Sequence, residues 1–150
     1  MLDIFVDSDA CPVKAEVGKV ARRYRLTLTF VSNSWMRIPD EWGGKLVVVD
    51  GQFDAADDWI VGQVKRDDIV ITTDILLASR CVKAGAKVLS PMGHVFTEDN
   101  IGNAVATREL MRELREAGTV SGGPPPFGKE DRSWFLQSLD KVIQDVKNTC

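Results

Sequence analysis

The sequence predicts an α/β domain in which a parallel five-stranded sheet is covered by helices on both faces. Three observations carry that prediction. Five short apolar runs, rich in β-branched residues, recur through the first two-thirds of the chain. Segments of helical periodicity separate them, as crossover helices separate parallel strands. At 150 residues with 44% hydrophobic content, the chain is the size of one domain and needs no disulfide or metal staple to hold a core.

The elements follow in order. Residues 2–6 (LDIFV) read as the first strand, ending at Asp7. Val13, Val17, Val20, Ala21 and Tyr24 then share one helical face, with Asp9 before the helix and Pro12 near its start as N-terminal signals. Residues 26–31 (LTLTFV) and 45–49 (KLVVV) are the second and third strands, separated by a long loop that holds Asn33, Pro39 and Gly43-Gly44. A helix over 55–65 buries Ala56, Ile60, Val61 and Val64. Residues 68–72 (DIVIT) form the fourth strand, 75–83 a helix, and 87–89 a short fifth strand bounded by Gly85 and Ser90-Pro91. A polar, arginine-rich helix over 99–117 turns Ile101, Val105, Leu110 and Leu114 inward. The run TVSGGPPPFG ends it and acts as a stiff connector. A last amphipathic helix over 129–146 buries Phe135, Leu139, Val142 and Val146. The whole chain, 1–150, reads as one domain that includes the C-terminal helical segment 99–150.

Composition excludes several chemistries. A single histidine, His94, cannot build a zinc site of two or three histidines, and no G-x-S-x-G elbow accompanies it for a serine triad. Cys11, Cys81 and Cys150 are an odd, scattered set that fits neither a zinc knuckle nor a disulfide framework and points to a reducing compartment. The first apolar run is too short for a signal peptide, and nowhere do 18 apolar residues run together. The reading is of a cytoplasmic protein without a membrane segment. A formal net charge of −3 rules out a broad basic surface for nucleic acid, though not a local one.

Aspartate placement is the informative feature. Ligands of open α/β sheets bind beyond the carboxyl ends of the strands, where strand order reverses. The first strand delivers Asp7 and Asp9 there, the loop after the third delivers Asp54, Asp57 and Asp58, and the fourth ends in Thr72-Thr73-Asp74. With the first and fourth strands as neighbours, Asp7 and Asp74 face one another. Crowded carboxylates repel, so one takes a proton or a cation joins them. Oxygen ligands without His or Cys select a hard ion, Mg²⁺ or Mn²⁺, which polarises phosphate and activates water; the number of acids allows two ions about 3.5–4 Å apart. Against this stands helix capping, a routine duty of Asp9, Asp54 and Asp74 in βα loops. Capping does not explain the doublings Asp7-x-Asp9 and Asp54-x-x-Asp57; on an incipient helix Asp54 and Asp57, three residues apart, share a face.

Other side chains have competing readings. Arg37, Arg108 and Arg132 are candidate phosphate donors or plain surface ion pairs. Asn33 orients a ligand or holds a turn. Cys11 reads as a small buried hydrophobe, and His94 as structural or exposed. Trp35 and Trp42 share the long loop, where packing as a lid over the core is preferred to stacking on bases.

The segments VDSDACPVK, FDAADDWIV, DDIVITTDILLA and SGGPPPFGKEDRSWF resemble the YaiI/YqxD family of small bacterial proteins. The resemblance spans nearly the full chain, and four separated motifs in order make it specific. It implies a three-layer PIN-like domain, related to PIN-like and NYN-type nuclease folds, with strand order 3-2-1-4-5 and strand-end acids that bind Mg²⁺ or Mn²⁺. By motif, Asp7 and Asp9 match the first acidic group, Asp54 and Asp57 the second, and Asp74 the third. The chain departs from that pattern at Ser8, usually a small apolar residue, in the missing proline after Asp74, and at Ala104-Val105, more often Arg-Leu. Arg108 is retained.

The expected function is a metal-dependent nuclease that hydrolyses phosphodiesters with metal-activated water. Asp7, Asp57 and Asp74 would meet within one cation's reach, and Asp9 and Asp54 would serve as outer or second-ion ligands. Asn33, Arg37, Arg108 and Arg132 would contact substrate: RNA, another nucleic acid or a short oligonucleotide. A rival is a haloacid-dehalogenase-like phosphatase with Asp7 as nucleophile and Asp9 as acid–base. That mechanism needs an acidic pair after the fourth strand, whereas here the pair precedes it. A third reading is a non-enzymatic metal- or nucleotide-binding interaction module.

Overall fold

The apolar runs become strands with both faces covered. A computed structural model describes residues 2–50, 55–116 and 127–149. In chain order these form β1 (Asp3–Asp7), α1 (Lys14–Tyr24), β2 (Thr27–Ser32), β3 (Lys45–Val48), α2 (Ala55–Gln63), β4 (Ile69–Ile71), α3 (Ile75–Lys83), β5 (Lys87–Leu89), β6 (Val95–Phe96), α4 (Glu98–Glu116) and α5 (Lys129–Thr149). Single 3₁₀ turns cover Ser8–Ala10 and Asp40–Trp42. The six strands form one sheet in the order β3-β2-β1-β4-β5-β6.

Alternate residues of each strand feed two cores. Ile4 and Val6 of β1, with Phe30, Ile71 and Leu89, pack against Val17, Val20 and Ala21 of α1 and Phe135, Leu139 and Ile143 of α5. Phe5, Val31, Val70 and Val88 face the other way, onto Ala56 and Ile60 of α2, Leu77 and Cys81 of α3 and Ile101 of α4. Because every strand residue of β4 is buried, the sequence there shows an unbroken apolar run. The inward face expected of the last helix is therefore observed, with Val142 and Val146 also buried.

Two expectations need correction. The predicted order of the first five strands recurs, but the sheet is mixed: β6 pairs antiparallel with β5, Val88 opposite Phe96 and Leu89 opposite Val95. A tight turn reverses the chain, with Ser90 N–H donating to the His94 carbonyl at 2.9 Å and Gly93 at φ +86°, in the left-handed region that glycine accepts. Leu110, expected inward, is 55% exposed on α4. The side chain of Leu114 and the connector around Gly122-Gly123-Pro124 lie outside the described residues.

The long loop after β2 closes over the first core. Met36, Ile38 and Trp42 pack against it, and the Trp42 ring tilts on Phe30 with centroids 5.7 Å apart. Gly18 of α1 makes this approach possible, since a Cβ there would stand 2.7 Å from the Trp42 carbonyl oxygen.

Candidate functional site

Strand order reverses between β1 and β4, which are parallel neighbours with Val6 opposite Ile71. The chain leaves β1 toward β2 through α1, and leaves β4 toward β5 through α3, on opposite faces. A crevice beyond their carboxyl ends is the general consequence. Asp7 is the last residue of β1, and Thr72 follows β4 directly.

Three acids stand at the strand ends around this reversal, each held by a different device. Asp7 is half-buried, and its Oδ2 accepts from the Thr72 hydroxyl at 2.8 Å. The same Thr72 oxygen accepts from Asp74 N–H at 3.0 Å, so one hydroxyl ties the two strand ends together. Asp74 caps α3, its Oδ1 accepting from the N–H groups of Leu76 at 2.9 Å and Leu77 at 3.3 Å. Asp9 does not cap α1, whose N-cap is Val13 with no side-chain bond. A 3₁₀ turn separates Asp9 from that helix, and its oxygens accept instead from the Ser32 hydroxyl at 2.8 Å and Asn33 N–H at 3.3 Å. Burial pushes the Asp7 carboxyl above its ordinary range, the Thr72 bond opposes that rise, and the negative charges of Asp9 and Asp74 add to it.

The second acidic group stands differently. Asp57 lies in the first turn of α2, half-buried, where its charge reaches the Cys81 thiol. Asp58 is turned away into an exposed ion pair with Arg80 at 2.9 Å. Asp54 lies outside the described residues. Among the described residues no three His, Cys, Asp or Glu side chains are grouped so as to hold a metal ion. Asp7 feels the charges of Asp9 and Asp74, and one oxygen of Asp74 is already engaged by its cap.

The expected substrate contacts also divide. Asn33 borders the site through its N–H on Asp9. Arg37 is exposed in the loop beyond it. Arg108 sits on α4 beside Glu109 at 3.4 Å. Arg132 is engaged elsewhere, donating to the Pro12 carbonyl and to Glu16, both at 2.8 Å, with its guanidinium 5.0 Å from the Phe127 ring centroid. It fastens the start of α5 to the start of α1. Cys11 is buried with its thiol pushed up to about 11, largely by desolvation, which fits the small-hydrophobe reading. His94 is exposed and stacks edgewise on Phe96.

Sequence reasoning passed over Thr72 and Ser32, the hydroxyls that hold Asp7 and Asp9. Their signal was a buried hydroxyl residue closing an apolar run: Ser32 is 2% exposed and Thr72 is fully buried. At the opposite edge of the sheet, two grooves share Arg66 and Asp67. There Asp67 faces Lys87 at 3.9 Å, and buried Asp68 accepts from Asp3 and Lys65 N–H groups. Those acids are already matched.

Residues 5–145 match the family described as the uncharacterised YaiI/YqxD family. The chain belongs to the YaiI/YqxD family. Its relatives include a UPF0178 protein of Rhodospirillum centenum, 52% identical over 151 residues that cover 98% of each chain. A UPF0178 protein of Paramagnetospirillum magneticum is 52% identical over 98% of this chain and 97% of its own. One from Brucella ovis is 50% identical, covering 96% of this chain and 90% of its own. No solved structure matches the chain. Among the described residues no helix is long and apolar enough to cross a membrane.

Proposed function

We propose that this YaiI/YqxD protein is a metal-dependent phosphodiester hydrolase, a nuclease of PIN-like kind, acting at the carboxyl ends of β1 and β4. The state of Asp7 carries this reading. It is a half-buried carboxylate at the strand-order reversal, raised by burial and by two neighbouring acids, and oriented through one oxygen by a strand-end hydroxyl. A cation relieves that crowding, and an oxygen-only donor set favours Mg²⁺ or Mn²⁺. Mg²⁺ is commonly held by one or two carboxylates, with water and substrate phosphate completing the shell. Asp7 and Asp74 would be ligands in that mode, with Asp57 in the first turn of α2 as a third. When bound, such an ion polarises phosphate and lowers the pKa of water.

The chain's own residues supply the rest. Thr72 fixes the Asp7 carboxylate and the backbone of Asp74 relative to one another. Asp9, held by Ser32 and Asn33, adds negative charge that favours cation binding. Those same bonds weigh against the phosphatase alternative, because an acid–base Asp9 must first release Ser32 and Asn33.

The test couples binding to turnover. Thermal stability is followed as MgCl₂ or MnCl₂ is added, and saturation at a hundred times Kd is expected to add about 2.7 kcal/mol. Labelled RNA, single-stranded DNA and a generic phosphomonoester are then supplied. Asp7→Asn and Asp74→Asn, checked for fold by circular dichroism, are expected to lose both the metal effect and diester cleavage. Monoester turnover with an acyl phosphate trapped on Asp7 would identify a phosphatase. Metal binding without turnover of any substrate would leave a binding module.

A further inference from the structure

Two tryptophans stand exposed on the same sheet edge as Asp7. Trp35 is 76% exposed, although its neighbours Met36 and Ile38 pack into the core. Inward Met36 and Ile38 alternate with outward Trp35 and Arg37, so the packed residues fix the direction of the exposed ones. Trp35 lies two residues beyond Asn33, whose N–H binds Asp9, which places its Cα within about 7 Å of that of Asn33. Trp134, 58% exposed, lies at the start of α5 against the turn after β5. Its indole is so close to Gly93 that a Cβ there would stand 2.6 Å from Cδ1, and Arg132 pins this end of the helix to Pro12 and Glu16. Met92, on the same turn, is also exposed. Trp35, Trp134 and Met92 thus leave apolar surface in water near the carboxyl ends of the strands.

From β2 to β5 is three strand spacings, about 14 Å, with the ends of β1 and β4 between. We propose that Trp35 and Trp134 are stacking surfaces for the bases of a single-stranded nucleic acid lying across this edge, with Arg37 meeting its phosphates. This rests on the phosphodiester reading above and names its substrate class. Unpaired bases offer the π-faces that such platforms take, whereas a duplex keeps them stacked on one another. The acids between the two rings are where a cation would receive the intervening phosphate.

The test uses the full chain with labelled oligouridylate and oligothymidylate, read by fluorescence anisotropy with Mg²⁺ present, and a duplex of equal length as competitor. Trp35→Ala and Trp134→Ala are each expected to weaken oligonucleotide binding roughly 5- to 100-fold. Trp35→Phe keeps most of the affinity, and the duplex competes poorly. Hydrolysis of bis(p-nitrophenyl) phosphate by the unsubstituted protein reads the diester chemistry separately. Trp-dependent oligonucleotide binding without diester hydrolysis would uphold the stacking surfaces and remove the enzyme. Diester hydrolysis with affinity unchanged in both alanine variants would overturn the stacking surfaces alone. Absence of oligonucleotide binding, or a loss of self-association in the variants by light scattering, would also overturn them, the latter assigning the face to protein contact.

Discussion

At Asp7, burial and the charges of Asp9 and Asp74 act against ionisation, while the Thr72 hydroxyl acts for it. The folded protein thus binds the Asp7 proton more tightly than the unfolded chain, whose carboxyl titrates near its ordinary 3.8. In the absence of a divalent cation, this group's contribution is most favourable at low pH and is lost as pH rises from the ordinary range through the raised value. Asp7→Asn removes the charge and keeps an oxygen for Thr72. Its Tm at neutral pH is expected to exceed that of the unsubstituted protein by a few degrees, with the difference shrinking as pH is lowered. Thermal melts across a pH series check this, and a lower Tm at neutral pH would refute it. The acids of the site were legible because strand ends are predictable and aspartate is conspicuous there. Thr72 and Ser32 were not, because a hydroxyl that ends an apolar run looks like ordinary strand composition until its partner is known.

The element on which the site most depends is α3, because Asp74 serves both its N-terminus and the acid cluster. Two substitutions separate these duties. Asp74→Ala is expected to cost about 1 kcal/mol through loss of the cap, whereas Asp74→Asn retains a good cap and removes only the charge. Urea denaturation of both variants checks this, the asparagine variant staying near the unsubstituted midpoint. Helices were readable where one face was apolar over several turns, as in α1 and α5. Asp9 misled as a cap signal for α1 because the intervening 3₁₀ turn carries no period of its own. β6 was invisible for a related reason: two residues cannot display alternation, and its existence depends on the glycine turn at Gly93 and on the free edge of β5. Leu110 misled because an apolar residue at helical spacing says nothing of whether a partner lies opposite it. Trp35 and Trp42 share one loop and one expectation, yet Trp42 covers the core and Trp35 is exposed.

At the scale of the whole molecule, α5 completes one of the three layers. Its Phe135, Leu139 and Ile143 are fully buried against the sheet face that α1 covers only in part. Phe135→Ala is expected to destabilise the domain by about 3–5 kcal/mol. Denaturant unfolding should show one shared transition by far-ultraviolet dichroism and tryptophan fluorescence, and a separate early loss of α5 would contradict that role. The C-terminal segment thereby acts as part of the fold that positions the site.

The short return of β6 has a consequence for how copies of the chain meet. One border of the sheet ends in a strand of two residues, which leaves a would-be partner strand little template. The other border is β3, four residues long, with Val48 exposed. Open borders recruit further strands into aggregates, and a lysine on such a border is a common deterrent. The molecule is therefore blunt on one flank and guarded on the other by Lys45, and its risk of strand-to-strand aggregation is concentrated on the β3 side.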